Sequence, residues 1–68
     1  MMKIVGVKLT WLDDPEDPGR TYRSKAECAL DVERSAYESC VRNVCTIQMG
    51  QLIAQPIWGL VEAKNAIV

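Results

Sequence analysis

The side chains with chemical capacity crowd into one stretch, residues 13–25, where Asp13, Asp14, Glu16 and Asp17 are followed by Arg20, Tyr22, Arg23 and Lys25. A carboxylate run suggests a hard divalent cation, and spacing is the test. With Asp13 as the first position of a calcium loop, Pro15 takes position 3, Pro18 position 6 and Ser24 position 12. An EF-hand needs an oxygen ligand, a glycine and a bidentate glutamate at those places. All three requirements fail, and the run reads instead as the solvated tip of a hairpin.

The basic half of the stretch invites an anion. Arg20, Tyr22, Arg23 and Lys25 sit beside the expected start of a helix, where free amides, the helix dipole and guanidinium groups can together grip a phosphate. The glycines at 6, 19, 50 and 59 match no nucleotide-binding fingerprint, however. The same cations can pair with the four carboxylates across the hairpin. With Lys+Arg 8, Asp+Glu 9 and a formal net charge of -1, the chain also lacks the broad basic face that nucleic acid requires. Nucleic acid is therefore an unfavoured partner.

Catalysis has little to work with. Histidine is absent, so a serine or cysteine nucleophile would need another base, and no Ser-x-x-Lys dyad is present. The three cysteines, Cys28, Cys40 and Cys45, form no Cys-x-x-Cys pair and their odd number leaves one unpaired. On one helix Cys28 and Cys40 would lie roughly 18 Å apart, beyond disulfide reach. Free thiols, no metal, no cofactor and no enzymatic activity are expected. A reducing, cytoplasmic setting follows from the thiols.

These side chains need a scaffold, and the chain is short. Its 68 residues allow a single domain, 1–68, of ordinary globular composition, with 49% hydrophobic and 25% charged residues. A chain of this size buries only about 60% of its unfolded surface and usually needs a staple. With disulfides and metal set aside, a partner subunit is the expected one. Lys8 interrupts the apolar start, so no secretory signal is read there. Residues 49–61 include Gln51, Gln55 and Pro56 and are too short to span a bilayer. No membrane partner is expected.

The pattern predicts an α+β fold. Lys3 to Leu12 reads as a strand, with Val5, Val7, Leu9 and Trp11 on its apolar face. After the loop at 13–19, Arg20 to Arg23 returns as a short strand. Ser24 and Glu27 have capping-box spacing, and no Pro or Gly follows until Gly50, so one long amphipathic helix is expected from Ser24. Its apolar stripe is Ala26, Ala29, Leu30, Ala36, Tyr37, Cys40, Val41, Val44 and Ile47; Asp31, Arg34, Glu38 and Arg42 face solvent. Two readings fit residues 46–66. The helix stops near Asn43 and a hairpin about Gly50 returns over Leu52 to Trp58, or a second helix starts at Pro56 with Ile57, Leu60, Val61 and Lys64 on one side. The composition of Leu60 to Ala66 favours the second helix.

One residue breaks the stripe. Glu33 falls in its middle, and a carboxylate rarely enters a monomer core unpaired. It can snorkel outward, pair with Arg20 or Arg23, or lie at a seam with another chain. The seam reading makes Glu33 and Tyr37 interface candidates, together with Trp11 and Trp58, half of the four aromatics. It predicts that Glu33→Leu changes association while the fold is kept. The resulting expectation is a non-catalytic interaction module that self-associates and binds, and in one version inhibits, a larger protein. Small accessory proteins, phage-encoded inhibitors among them, are similar in size and composition. The alternative is anion or nucleic-acid binding through the basic segment.

Overall fold

Alternation of apolar and polar residues favours extended chain. Strand β1 runs Met2–Trp11 in the computed structural model, which describes residues 1–61. The prolines and Gly19 of the loop turn the chain back, and β2 (Arg20–Tyr22) pairs antiparallel with β1, Val7 opposite Tyr22 and Leu9 opposite Arg20. A single 3-10 turn at Lys25–Glu27 leads to helix α1 (Asp31–Asn43), then to β3 (Ile47–Met49) and β4 (Leu52–Leu60). The sheet is antiparallel in the order β2-β1-β4-β3. The fold is α+β, four strands with one helix packed against them.

The core lies between helix and sheet. Val7, Leu9, Leu52 and Ala54 come from the two central strands, Ala36, Tyr37 and Cys40 from α1, and Cys28 from the segment before it. Ile4, Trp11, Tyr22 and Ile47 pack around the rim. Val5 does not join them. The register slips between Ile4, opposite Trp58, and Gly6, opposite Ile57, so Val5 is the extra residue of a β-bulge. The bulge hands the core face to Ile4 and turns Val5 toward the other side of the sheet. There it lies against Gly59, where a Cβ would come within 2.8 Å of the Val5 Cγ1. Strict alternation could not anticipate that exchange.

The helix is shorter than its capping signal implies. The Glu27 carboxylate accepts from the amide of Arg23, not Ser24, and Ser24 makes no side-chain cap bond. Cys28 and Leu30 have extended backbone between the two helical segments, which lets Cys28 enter the core while its carbonyl accepts from Arg34 Nη1 at 2.9 Å. Helix α1 then starts at Asp31 with Asp31 and Glu33 in its first turn, where the dipole favours negative charge. On the wet face Glu38 pairs with both Lys25 and Arg42, while Arg34 pairs with Asp31.

The second helix is not formed over the described residues; its stretch from 62 to 66, Lys64 included, lies outside them. Gly50, at φ 60, closes the turn from β3, and β4 runs back along β1 from Leu52 opposite Trp11 to Leu60 opposite Met2. A ten-residue β1 needs a partner along its length, and β2 covers only Val7 to Leu9. Pairing across the sheet overrides the helix reading for residues 57 to 60. Pro56 is compatible with a central strand because of where its nitrogen points. Leu12 N–H donates to Gln51 O and Val61 N–H to Met1 O, so the odd-numbered positions from 51 to 61 bond toward β1. Pro56 faces the other way, past the end of β3, where no N–H is required.

Candidate interaction surface

Two constellations stand out, one polar and internal, the other apolar and exposed. The polar one is built on the loop that the sequence offers to a metal. Its carboxylates do not converge. The Asp14 carboxylate accepts from the amide of Glu16, whereas Asp17 turns inward, with its side chain only 1% exposed. Asp17 accepts from the amides of Trp11 at 2.7 Å and Gly19 at 2.8 Å, and from Arg20 Nη1 at 3.1 Å. Those donors hold its carboxyl below the ordinary range, Trp11 foremost, then Gly19, with the Arg20 charge adding to them. Among the described residues no group of three or more Cys, Asp or Glu could hold a metal ion.

Arg20 carries the network on to the helix. Its guanidinium reaches Glu33 Oε2 at 3.6 Å, and its Nε donates to the Tyr22 hydroxyl. Glu33 is 3% exposed. Besides Arg20 it accepts from the Trp11 indole at 3.0 Å and from the amide of Leu30 at 3.3 Å, which ties β1 to the first turn of α1. The pairing with Arg20 is one of the three outcomes open to Glu33. The carboxylate faces its own hairpin, satisfied by donors of its own chain. Tyr37 is likewise buried, its hydroxyl pKa raised by that burial.

The basic segment divides. Arg20 is engaged by Asp17 and Glu33, and Lys25 bonds Glu38 at 2.8 Å. Of the three cations in this segment only Arg23 makes no ion pair with the described residues. This leaves little unneutralised charge for a bound anion.

The exposed constellation emerges where the helix ends. Along the core face of β4, Leu52 and Ala54 are fully buried, yet Trp58 is 46% and Leu60 74% exposed. On β1 the same face runs from buried Leu9 and Val7 to Met2, at 56%. Past Ile4 and Pro56 the two central strands continue as a ribbon with β2 and β3 no longer beside them. Met2, Ile4 and Trp58 line a recess there with Val41 and Val44 from the end of α1, and Lys3 at its margin. Val44 is the helix C-cap, held in the left-handed region at φ 55 and half exposed. A β-branched residue is disfavoured in that conformation, and glycine is the usual solution. No motif marks this surface in the sequence. The signal available was the apolar alternation of Leu52, Ala54, Pro56, Trp58 and Leu60, longer than a helix ending at Asn43 can cover.

The thiols divide too. Cys28 and Cys40 are buried, and burial pushes both up from the ordinary thiol range; Cys45 is exposed. A thiol-disulfide reagent should therefore titrate one cysteine rapidly in native protein and the other two only on unfolding. Cys45→Ser should abolish the rapid phase.

Comparison of the chain with protein-family models, curated proteins and solved structures finds no match. Among the described residues no helix is long and apolar enough to cross a membrane.

Proposed function

We propose that the protein is a non-catalytic interaction module whose working surface is the apolar ribbon around Trp58, used to self-associate and to engage a larger protein, whose activity it can block by covering it. The observation that carries this reading is the run of exposed apolar side chains on the core face beyond the helix, Met2, Trp58 and Leu60, continued by Val41 and Val44. Exposed apolar side chains gathered on one face, rather than scattered singly, mark an interaction site. An exposed tryptophan at its centre is the kind of side chain that anchors binding. Val44 supports the same reading, because its strained backbone gains no burial in the isolated chain.

Light scattering and sedimentation at micromolar concentration test it. The wild-type chain should sediment above its 7.6 kDa monomer mass, with little change as salt is raised, since apolar burial is not screened. Trp58→Ser should return it to monomer and leave its Tm within a few degrees of the same monomer's. Val44→Gly should stabilise the monomer by about 1 kcal/mol while weakening association. A wild-type monomer at 100 µM, or association unaltered by Trp58→Ser, would overturn the proposal.

A further inference from the structure

The ribbon also fixes how two copies can meet. We infer that self-association is edge to edge, with β4 of one protomer pairing antiparallel with β4 of the other about a two-fold axis at Trp58; this rests on the self-association proposed above. The parity of the ladder supplies the bonding groups. Gln51 and Val61 bond toward β1, so the N–H and C=O of Trp58 and Leu60, and the C=O of Pro56, point away from it. Strand β3 occupies that edge only from Leu52 to Ala54. From Pro56 to Leu60 the edge has no neighbouring strand among the described residues.

Centred on Trp58, an antiparallel partner matches these groups. Trp58 exchanges N–H and C=O with the partner subunit's Trp58, and Leu60 N–H donates to the partner subunit's Pro56 carbonyl. Proline falls where it can accept and is not asked to donate. The side chains agree with the backbone. Pro56, Trp58 and Leu60 share the core face, so the two indoles come side by side and each Leu60 meets a Pro56, covering the residues the helix leaves open. No charge lies between Pro56 and Leu60.

The other free edge does not serve as well. On β1 the bulge between Ile4 and Gly6 interrupts the ladder, and an antiparallel copy centred on the remaining Met2–Ile4 segment would set Lys3 beside itself. Bulges and lysines are what keep strand edges apart.

Two measurements on the full chain decide it. The first compares Leu60→Pro with Leu60→Ala: both lose the leucine side chain, but only proline loses the outward N–H. Leu60 is at the exposed end of β4, so both variants should fold. The dimer should be at least ~10-fold weaker with proline than with alanine. The second places a nitroxide on Gln55→Cys in a Cys45→Ser background. Position 55 then lies opposite position 61 of the other chain, which puts the two labels about 20 Å apart along the strands. A dimer whose labels lie beyond about 35 Å, or whose affinity is equal in the two Leu60 variants, overturns edge pairing and leaves self-association standing. Absence of any dimer in the wild type overturns both.

Discussion

Glu33→Ala should destabilise the fold by about 3 kcal/mol, at the lower end of the range for breaking a buried ion pair because Arg20 is partly solvated. The change leaves the Trp11 indole and the Leu30 amide without their acceptor, at about 1–3 kcal/mol for each buried donor that water cannot reach. In a domain of this size the loss appears as a fall in Tm of roughly 10–20 °C. Glu33→Gln should fall between, since its single carbonyl oxygen can serve one of the two donors and its amide group confronts the other. Glu33→Leu should be destabilising as well, contrary to what placement at a seam implies. A double-mutant cycle with Trp11→Phe, read by urea unfolding, should give a coupling of about 1 kcal/mol. Coupling of zero, or a Glu33→Leu variant as stable as wild type, would mean the carboxylate does not organise the hairpin against the helix.

The second large effect is acid sensitivity through Asp17. Its folded pKa lies below the ordinary 3.8. The sign follows directly: the stability it contributes is fully present above the unfolded pKa and is lost as pH falls through the folded value. Glu38, lowered chiefly by its hydrogen bond to Lys25, acts in the same direction but on the open surface, where its contribution is small. Asp17→Asn should have a clearly lower Tm than wild type at pH 7, because the Arg20 pair is gone and a side-chain amide now shares the site with two backbone donors. The gap should narrow as pH falls below 3.8 and close once pH passes below the lowered folded value, where wild-type Asp17 is neutral as well. A Tm gap that persists undiminished at pH 2.5 would assign the effect to shape rather than charge.

How much of this was legible in the sequence depended on whether the cause was local. The first strand, the loop and its return were, because alternation and the prolines act over a few residues. The solvated ladder of α1 was as well, down to the pairing of Glu38 with Arg42. The start of the helix was not: Ser24 and Glu27 have the right spacing, but burial of Cys28 and the reach of Glu33 back to Leu30 moved the cap to the following turn. In the C-terminal half the hairpin about Gly50 was one of two readings, and composition favoured the other. Residues 57 to 60 were open to a helix starting at Pro56, and only the demand of β1 for a full-length partner makes them strand. The pairing of Glu33 with Arg20 was within view as one option, yet its choice depends on the Trp11 indole, which no spacing rule connects to position 33. The apolar ribbon was hidden because it is defined by what fails to cover it.

The adjacency of β1 and β4 at the centre of the sheet has a kinetic meaning. Among the described residues the longest ladder joins the first strand to the last, so it closes only after the intervening turn, helix and hairpins have been gathered into one large loop. Closure of a large loop precedes the contacts that reward it, and such topologies fold slowly for their size. On the ribosome β1 has only the short β2 beside it until β4 emerges, its apolar face presented to whatever is nearby. The nascent chain thus passes through an interval in which Val7, Leu9 and Trp11 are open to misassociation, and its yield in the cell should depend on how short that interval is.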